Sequence, residues 1–463
     1  MNKEQKIEEL KKFINSSDFA TPGNSRGKAV YQEIPFSEFK KGVKIRRSNN
    51  RERLDLLINN YDFRGKTVLD VGCNIGYFGF ELSKLGANYI GIDADNDSIK
   101  VANSLKDIYE VNNVEFYNLN YKEDSIRNIL SKHENIDYIF FFSVNHWLFQ
   151  DIGINEFIRL TSLFLKDGQR IIYEASSAIG AYYPKLLREK NIFKLINKIG
   201  YNKIDFLGTA SADNLSGGNK TRNIYIAEFN QELLIDRFIN SKKKKVIKIQ
   251  DDKEIYSFKN YFIKKAKKSR GFLLKNEFDK LNKLKFYKYF PIPLSLTEKD
   301  NHIYLILKYI KGKSLIKYSI VPQKYRDHFR ESLNEIIDIL DKEKIIHRDL
   351  GPQNILINKK FNKIYLVDFE FAIFEDEKLN PHNIKEEEVL EKSLLKLGGK
   401  RNNKKYLYSL YLNQYSTKPI KSFYTNSRSL KRWLRAFLSF LKKKINDPNL
   451  IKKIVKRYIF FKK

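Results

Sequence analysis

Residues Ile345–Glu370 read IIHRDLGPQNILINKKFNKIYLVDFE, and this stretch decides how the carboxyl-terminal part of the chain is interpreted. Asp349 follows a His-Arg pair, Asn354 lies five positions later, and Asp368 lies nineteen positions after Asp349. Phosphoryl transfer needs an aspartate that receives a hydroxyl proton, and an asparagine and a second aspartate that hold Mg²⁺ against the phosphates. The stretch therefore predicts a kinase-like catalytic loop in which Asp349 is the base and Asn354 and Asp368 bind the metal.

A lysine upstream of this loop fits the same chemistry. Lys264 follows three apolar positions in the strand-like run YFIKKAKK, and Glu277 lies thirteen residues later in a run that predicts a helix. Such a Lys–Glu pair positions the α- and β-phosphates of ATP. The neighbouring Lys265 competes for the role of Lys264, and the alternation of residues does not choose between them.

The segment HIYLILKYIKGKSL, residues 302–315, resembles the strand that leads to the hinge of a kinase. Tyr309 and Ile310 would offer their backbone groups to adenine. No glycine occurs between Asn230 and Phe262, so the usual glycine-rich phosphate lid is missing from the sequence. Glu370 stands where the DFG motif has glycine, a departure typical of kinases with small-molecule substrates.

A second chemical motif lies near the amino terminus, in residues 66–86, which predict a strand, a turn and a helix. The turn carries Asp70, Gly72 and Gly76 in the pattern D-x-G-x-x-x-G, and Asp93 closes the next predicted strand. The spacing lacks the G-x-G-x-x-G of dinucleotide sites and is the pattern of class I S-adenosylmethionine-dependent methyltransferases. Asp93 is placed to accept both ribose hydroxyls. The alternative is a Rossmann-like turn that binds no nucleotide.

Strand-like runs continue at residues 114–119, 136–144, 169–175 and 221–226, most of them separated by helical segments. This alternation predicts a mostly parallel, doubly wound sheet. His146 follows the second of these runs, at the carboxyl edge where such sheets bind ligands. The histidine would act as a general base or bind an anionic acceptor. A structural role in bonding the loop backbone is the alternative.

Composition limits the class of protein. The chain has 463 residues, enough for two or three domains, and 42% of them are hydrophobic, enough for a sizeable core. A single cysteine, Cys73, and the lack of a signal-peptide pattern or an apolar run of spanning length predict a cytoplasmic protein, possibly peripheral on the inner membrane. The net charge of +32 suggests anionic partners, or lysines spread over solvated faces by coding bias.

The region after residue 400 predicts basic helices. In residues 429–445, leucine, tryptophan and phenylalanine fall on one helical face, and arginine and lysine lie away from it. Together with the terminal run, residues 429–463 could lie on an anionic membrane surface. Packing against the kinase-like domain is the alternative.

The two motifs in this order resemble the bifunctional methyltransferase–kinases that terminate O-antigen polysaccharide chains. The resemblance covers residues 28–375 and is carried by VYQEI (30–34), NRERLDLLINNYD, VLDVGCNIGYFGFELSKLGANYIGID, SVNHW, RNIYIA, YFIKK with KNEF, and the segment from HRD to DF. It implies a kinase that phosphorylates a hydroxyl of the terminal sugar and a methyltransferase that caps the phosphate. It also implies that Tyr31 and Arg53 contact the methyl donor or acceptor, with Gly72 and Asp93 on S-adenosylmethionine.

The chain departs from that family at two points. Short basic helices replace a long carboxyl-terminal coiled coil, so a length-measuring role is not expected. The SVNHW loop has one histidine where the family has a pair, so the methyl acceptor could differ.

The expected organisation is an α/β Rossmann-like class I methyltransferase domain (1–230), an α+β bilobal kinase-like domain (231–400) and a basic helical region (401–463). The expected cofactors are S-adenosylmethionine, ATP and Mg²⁺. The expected partners are a glycan end or lipid-linked precursor and a glycosyltransferase or polymerase. The alternative is a methyltransferase that acts on RNA or on a small molecule and carries an accessory small-molecule-type kinase or pseudokinase domain. No RNA-binding signature accompanies the basic charge, so nucleic acid is not the expected partner.

Overall fold

The computed structural model describes residues 1–21, 25–27, 29–46, 49–133, 135–174, 189–211, 221–250, 252–315, 323–347, 349–350 and 352–374. The predicted basic helices of residues 401–463, including the proposed membrane surface of residues 429–463, lie outside this range. The chain divides into two compact units. The first contains Met1–Lys265 and Leu294–Tyr309, and the second contains Ala266–Pro293 and the residues from Ile310 onward.

The described part of the chain forms α-helices that include the two predicted after the glycine turn and around Glu277. They are α1 (Lys3–Ser16), α2 (Asn50–Ile58), α3 (Tyr77–Ser83), α4 (Asn96–Ile108), α5 (Glu123–Lys132), α6 (Asn145–Asp151), α7 (Ile154–Ser162), α8 (Glu189–Ile199), α9 (Gln231–Ile239), α10 (Gly271–Leu284) and α11 (Arg326–Lys342). Among these described helices, none combines the length and the apolar character needed to cross a bilayer.

The strands of the first unit belong to one small, one large and one medium sheet. They are β1 (Phe19–Thr21), β2 (Ser25–Gly27), β3 (Thr67–Val71), β4 (Asn88–Asp93), β5 (Val114–Asn118), β6 (Tyr138–Phe141), β7 (Arg170–Glu174), β8 (Lys203–Ser211), β9 (Thr221–Glu228), β10 (Lys245–Gln250), β11 (Lys253–Phe258), β12 (Tyr261–Lys267), β13 (Pro293–Lys299) and β14 (His302–Lys308).

The large sheet has the order β5-β4-β3-β6-β7-β9-β8. Its first five strands pair in parallel, so their carboxyl ends meet at one edge. The chain moves outward from β3 to β5 and then returns to place β6 on the other side of β3. Ligands of open α/β sheets bind at this kind of switch point, outside the carboxyl ends of the strands. The predicted doubly wound sheet is confirmed in its parallel part.

Two antiparallel strands complete the large sheet: β9 pairs with β7 and β8 pairs with β9. Strand β9 was predicted from its apolar run, whereas β8 was not predicted. Most positions of β8 are exposed or half-buried, because β8 is the outer strand of the sheet. An edge strand of this kind lacks the continuous apolar run by which a central strand is recognised.

The amino-terminal helix packs on the same core. Ile7, Leu10 and Ile14 of α1 are buried at the i, i+3, i+7 spacing of one helical face. Asn2 and Gln5 form a reciprocal capping box that satisfies the first amide groups of the helix. Thus α1 is part of the domain that surrounds the large sheet.

The medium sheet has the order β10-β11-β12-β14-β13. Its first two strands pair antiparallel, with Gln250 opposite Lys253. The lysine-rich segment 241–250, which contains no glycine, thus supplies β10.

Hydrogen bonds join the medium sheet to the helices beside the large sheet. The Nζ of Lys308 donates to the carbonyl oxygens of Ile158 (3.2 Å) and Ile199 (3.1 Å) and to the hydroxyl of Ser162. The hydroxyl of Tyr261 donates to the carbonyl of Gly200 at 2.8 Å. The bonds to Ile199 and Gly200 satisfy carbonyl groups at the carboxyl end of α8, and the bond to Ile158 reaches α7, so the two sheets belong to one compact unit.

The second unit contains α10, α11 and short strands. The strands are β15 (Lys313–Ser314), β16 (Ile345–Ile346), β17 (Ile355–Ile357), β18 (Ile364–Leu366) and β19 (Ile373–Phe374), which form the sheets β15-β17-β18 and β16-β19. β17 and β18 pair antiparallel on either side of the loop between Ile357 and Ile364. Both strands lie between Asn354 and Asp368 in the chain.

Candidate active sites

The turn after β3 is built so that only glycine fits at two of its positions. Gly72 and Gly76 have φ angles of +80° and +82°, in the left-handed region that favours glycine. A Cβ atom on Gly72 would lie 2.7 Å from Val144, and one on Gly76 would lie 2.4 Å from the ring of Phe116. The turn therefore packs tightly against Phe116 of β5 and against the loop that follows β6, at the switch point of the sheet.

Asp93 lies at the end of β4 and is half-buried. Its Oδ2 accepts a hydrogen bond from the backbone N–H of Asn74 (2.9 Å), and its Oδ1 accepts one from the N–H of Asp95 (2.8 Å). Burial raises the pKa of Asp93 to about 6, although these backbone bonds act to lower it. The carboxylate is thus fixed beside the glycine turn with lone pairs left to accept the two hydroxyls of a ribose.

Asp70 is fully enclosed in the sheet. It accepts a hydrogen bond from the hydroxyl of Tyr89 at 2.5 Å, and burial raises its pKa to about 7. These contacts connect β3 with β4 beneath the turn. The predicted contact of Asp70 with the methyl donor stays a prediction.

The segment around Tyr31 lies beside the start of α3. The backbone of Val30 bridges to Ile45, and the side chain of Gln32 accepts a bond from the N–H of Tyr77 at 3.4 Å. Tyr31 itself is half-buried. Its predicted role in methyl transfer stays a prediction.

Arg53 is completely buried and binds Glu174, the last residue of β7. Its Nη2 lies 2.7 Å from Oε1 of Glu174, and its Nε lies 3.2 Å from Oε2. The same guanidinium donates to the carbonyl oxygens of Ser211 (3.0 Å) and Asn49 (3.1 Å). Arg53 therefore fixes Glu174 between α2 and the end of β8. Its predicted contact with the donor or acceptor stays a prediction.

A second guanidinium reaches the same carboxylate. Nη1 of Arg222 on β9 lies 3.4 Å from Oε1 of Glu174 and donates at shorter range to the hydroxyl of Ser143. The hydroxyl of Ser143 donates to Oε2 of Glu174 at 3.1 Å. Ser143 has a φ of +58°, an uncommon value for serine. It immediately precedes Val144, the residue that packs against Gly72 of the glycine turn. We call Arg53, Glu174, Arg222 and Ser143 the arginine network.

His146 lies in the first turn of α6 and is half-buried. Burial, and to a smaller extent the charge of Arg222, lower the pKa of His146 to about 4 against the opposing effect of Glu174. The imidazole is therefore neutral near neutral pH and lies within electrostatic range of the arginine network. This position agrees with the predicted carboxyl edge, and the choice between a catalytic and a structural role stays open.

In the second unit, the HRD segment holds Asp349 through three side chains. Asn354 donates from Nδ2 to Oδ2 of Asp349 (2.8 Å) and to its carbonyl oxygen (2.9 Å), and Gln353 donates to Oδ1 at 3.1 Å. His347 is buried and accepts from the N–H of Asp349 at Nδ1, so its Nε2–H donates to the carbonyl of Val367. These bonds orient one half-buried carboxylate, as a catalytic base requires.

Asp368 has a φ of +71°, which turns the backbone sharply after β18. The next residue, Phe369, is fully buried against the rings of His347 and Phe290. The amide of Phe369 donates to Oε1 of Glu277 on α10 at 3.3 Å. Packing and this hydrogen bond together anchor the residue that follows Asp368.

Three carboxylates converge at this point. One oxygen from each of Glu277, Asp368 and Glu370 lies within 4.8 Å of the others, with Glu277 and Glu370 buried. The sequence analysis assigned Asp368 and Asn354 as metal ligands and treated Glu277 only as a partner of Lys264. We call Glu277, Asp368 and Glu370 the carboxylate cluster.

The remaining predicted kinase residues lie in the medium sheet or follow it. Lys264 is buried, whereas Lys265 is half-buried and pairs with Glu254 at 3.5 Å, so burial favours Lys264 for the phosphate role. The N–H of Tyr309 donates to the carbonyl of Asn260 at 2.8 Å and is thus engaged within the unit. Ile310 begins the later segment of the second unit. The Lys264–Glu277 pair and the adenine contacts stay predictions.

Sequence reasoning missed several residues of these sites. Ser143 and Arg222 belong to the motifs SVNHW and RNIYIA, but the sequence assigned them no role. Glu174 lies near the end of the predicted strand 169–175 and was likewise assigned no role. The available signal was a set of polar residues at the ends of apolar runs, where a parallel sheet collects its functional groups. Glu370 was noticed only as a replacement of glycine.

Two family models match separate segments of the chain. Residues 62–201 match a methyltransferase domain, and residues 242–388 match a protein kinase domain. The chain therefore contains a methyltransferase domain followed by a protein kinase domain. The predicted kinds of domain, their order and the predicted class of enzyme are confirmed.

Curated relatives match the kinase part of the chain over short segments. The dual specificity protein kinase zak2 of Dictyostelium discoideum is 30% identical over 118 residues, which are 25% of this chain and 18% of that protein. The serine/threonine-protein kinase unc-51 of Caenorhabditis elegans is 33% identical over 94 residues, 18% of this chain and 11% of that protein. The chain thus spans less than a fifth of the length of these relatives.

Solved structures match over a larger part of the chain. A 2.2 Å crystal structure of WbdD is 20% identical, with a TM-score of 0.39, and the match covers 84% of this chain and 86% of that chain. A medium-resolution structure of the bifunctional kinase-methyltransferase WbdD is 18% identical, with a TM-score of 0.39, and covers 84% and 87%.

Proposed function

We propose that this chain is a bifunctional transferase that phosphorylates a hydroxyl with ATP and then transfers a methyl group from S-adenosylmethionine to the same substrate, at the new phosphate. The observation that carries the proposal is that one chain holds both an oriented catalytic aspartate, Asp349, and a glycine turn with its carboxylate, Asp93. The two matched domains support the use of ATP and of S-adenosylmethionine.

Asp349 is the base in the phosphoryl transfer. The acceptor oxygen attacks the γ-phosphorus, its proton passes to Asp349, and the bond to the leaving ADP breaks. Asn354 holds both the carboxylate and the backbone carbonyl of Asp349, so the base keeps its orientation as the acceptor approaches. Most of the catalysis then depends on position and charge, as phosphoryl transfer requires.

The carboxylate cluster fits a divalent cation. Carboxylate oxygens are hard ligands of the kind that Mg²⁺ prefers, and Asp368 is the residue by which kinases hold it. When bound, Mg²⁺ would neutralise charge on the transferring phosphoryl group. Glu277 and Glu370 would then share with Asp368 the task of holding the ion, in addition to Asn354.

Asp93 and the glycine turn would position the methyl donor. The sulfonium of S-adenosylmethionine supplies an already activated methyl group, so the protein needs mainly to align donor and acceptor. Asp93 accepts the ribose hydroxyls, and the left-handed turn at Gly72 lets the backbone approach the donor closely. An acceptor phosphate oxygen attacks the methyl carbon, the carbon–sulfur bond breaks, and neutral S-adenosylhomocysteine leaves.

The motifs shared with the O-antigen chain-terminating enzymes support a sugar hydroxyl as the phosphate acceptor. The substrate would be a glycan end or its lipid-linked precursor in surface polysaccharide or lipopolysaccharide biosynthesis. The net charge of +32 suits such an anionic product. We place the enzyme in the cytoplasm, with peripheral attachment to the inner membrane as the alternative.

Mass spectrometry of surface polysaccharide tests this sequence of reactions in cells that carry Asp349→Ala. Loss of the base should remove both the phosphate and the methyl group, because the second reaction consumes the product of the first. Asp338→Ala is the matched control, since Asp338 is an exposed aspartate of α11 in the same unit.

Two outcomes would contradict the proposal. Methylation that continues at the wild-type level in Asp349→Ala cells would exclude the sequential scheme. Polysaccharide that is unchanged when the whole protein is removed would exclude a glycan substrate.

A further inference from the structure

The carboxyl end of α8 bonds to the medium sheet through its backbone carbonyl groups. The three donor–acceptor pairs are Asn260 Nδ2 to Asn197 (3.0 Å), Lys308 Nζ to Ile199 (3.1 Å) and the hydroxyl of Tyr261 to Gly200 (2.8 Å). The last carbonyl groups of a helix have no partner within the helix and need donors from elsewhere. Side chains of the medium sheet and of the turn before β12 supply these donors. We call Asn260, Tyr261 and Lys308 the α8 anchor.

Lys308 is the charged member of the α8 anchor and also reaches α7. Its Nζ donates to the carbonyl of Ile158 at 3.2 Å and to the hydroxyl of Ser162, both on α7. The hydroxyl of Ser162 in turn lies 2.7 Å from the carbonyl oxygen of Ile199. Three acceptors match the three N–H groups of an ammonium, and the helix dipole favours a positive charge at a carboxyl end. Lys308 therefore holds α7 and α8 to the end of β14.

The members of the α8 anchor lie at the ends of two neighbouring strands. β12 and β14 are adjacent in the medium sheet, Tyr261 begins β12, and Lys308 ends β14. The N–H of Tyr309 donates to the carbonyl of Asn260 at 2.8 Å, so the two strand ends are also bonded to each other. The end of α8 thus holds both strands at the place where the chain enters β12 and leaves β14.

The same two strands carry residues that are predicted to bind ATP. Lys264, the predicted phosphate-binding lysine, lies three positions after Tyr261 in β12, about 10 Å along an extended chain. Tyr309, which is predicted to contact adenine, follows Lys308 directly. A nucleotide that reaches both groups needs a fixed separation between them, and a misplacement of about 1 Å can cost about 100-fold in rate. The α8 anchor is placed to set this separation.

We infer that the carboxyl end of α8 is a positioning element for ATP, acting through the α8 anchor on the separation between Lys264 and Tyr309. The inference rests on the proposed function, because it concerns the nucleotide of the first reaction. Helix α8 lies within residues 62–201, the segment that matches the methyltransferase domain. A helix of the methyltransferase domain thus takes part in nucleotide binding by the kinase domain, and the members of the α8 anchor are positioning residues that act without touching the nucleotide.

Calorimetric titration of MgADP into the full chain tests the positioning role. Lys308→Met removes the bonds of the ammonium to α7 and α8 and keeps an unbranched side chain, so the affinity for MgADP should fall about 10-fold. Tyr261→Phe and Asn260→Ala each remove one side-chain bond and should weaken MgADP binding about threefold. Asn260→Ala retains the backbone bond to Tyr309, so it provides the test in an intact sheet if Lys308→Met fails to fold.

Two control variants alter the same sheet where it contacts α9. Lys299→Met removes the pair between Lys299 of β13 and Asp236. Tyr304→Phe changes a buried tyrosine of β14 whose ring packs against Phe238. Both should bind MgADP within about twofold of the wild type. Binding of S-adenosylhomocysteine should stay within about twofold in every variant, because none of the substituted residues belongs to the donor turn.

Two results would overturn the inference. The first is an unchanged affinity for MgADP in the α8 anchor variants, including those that urea unfolding shows to be less stable, because the anchor would then have a structural role only. The second is an equal loss of MgADP affinity in the control variants, or a parallel loss of S-adenosylhomocysteine binding, either of which would indicate a general change in the fold. Failure of the proposed function gives a different result, because the wild-type chain itself would then not bind MgADP.

Discussion

The two units hold their key carboxylates in different ways. In the first unit, backbone amides at the end of a strand and at a glycine turn fix Asp93, so the position follows from the topology of the sheet. In the second unit, the side chains of Asn354 and Gln353 fix Asp349, and both come from the same short loop. The comparison predicts that substitutions near Asp349 act on one reaction, whereas substitutions near Asp93 also affect the fold.

The largest effect should follow from Asn354→Ala. The variant removes two hydrogen bonds to Asp349 and one predicted metal ligand, so the rate of phosphoryl transfer should fall about 10²- to 10³-fold. Methyl transfer to an already phosphorylated substrate should be unaffected. Steady-state assays of ADP formation and of methyl incorporation measure the two reactions separately.

Gln353→Ala is the control for that variant, because Gln353 is exposed and donates a single bond to the same carboxylate. Its effect on phosphoryl transfer should be less than about fivefold, the range of an exposed hydrogen bond. Equal losses in the two variants would show that Asp349 is not held mainly by Asn354.

Asp93→Asn sharpens the other side of the comparison. The ionised carboxylate should be required for the ribose hydroxyls, so the affinity for S-adenosylmethionine should fall about 10- to 100-fold. Because the pKa of Asp93 is raised to about 6, wild-type affinity should increase as the pH rises through that value. Calorimetry at about pH 5 and about pH 8 measures this dependence.

In the asparagine variant the dependence on pH should disappear. A wild-type protein that binds S-adenosylmethionine with the same affinity at both values would contradict the assigned role of Asp93.

Gly76→Ala tests how much of the first unit's fold depends on the turn. A side chain there meets the ring of Phe116 at 2.4 Å and also requires a left-handed backbone, so the free energy of unfolding should fall by about 2–4 kcal/mol. Urea unfolding followed by circular dichroism provides the measurement. Gly65→Ala is the matched control, with a φ of +68° and open space around the added atom.

The control should cost about 1 kcal/mol, the penalty for the backbone conformation alone. Equal losses in the two glycine variants would mean that the close packing of Phe116 contributes nothing to the requirement for glycine.

The last prediction concerns Lys308. Burial and the charge of Arg159 lower the pKa of Lys308 to about 7, below the usual lysine value. Between that value and the ordinary lysine pKa the unfolded chain binds more protons than the folded chain, so the first unit should become more stable as the pH rises through this window. Lys308→Met should remove this increase, measured as the unfolding midpoint in urea at several pH values.

Lys299→Met is the control, because Lys299 pairs with Asp236 at the surface and its pKa is raised instead of lowered. The increase in stability with pH should persist in that variant. Its disappearance there would indicate that Lys308 is not the titrating group.

The two sites also differ in how far sequence alone could define them. The residues around Asp349 and Asp368 lie in one stretch of 26 residues, so their spacing alone was enough to predict a kinase-like site. The arginine network joins Arg53 to Glu174 across 121 positions and Arg222 to Ser143 across 79 positions. Contacts over such distances arise only when the sheet assembles, and no local pattern contains them.

The strands also differ in how well the sequence predicts them. Central strands with apolar runs, such as β3 and β6, were predictable because both of their faces are buried. The edge strand β8 was not predictable. It pairs with a strand on one side only, and most of its side chains are exposed or half-buried, so its sequence has no continuous apolar run. The carboxylate cluster combines the two situations: Asp368 was part of the sequence motif, whereas the proximity of Glu370 to Glu277 of α10 is visible only in the folded chain.

The bonds from Lys308 and Tyr261 to α7 and α8 bear on how the two enzymes of this chain could have been inherited. A fragment cut between the matched segments, near residue 230, would lose the donors that satisfy the carbonyls of Ile199 and Gly200. The methyltransferase is therefore not a portable module bounded by its family match. Exchange of the methyltransferase between chains would therefore have to include the strand with Lys308 as well as the helices α7 and α8 to which it bonds.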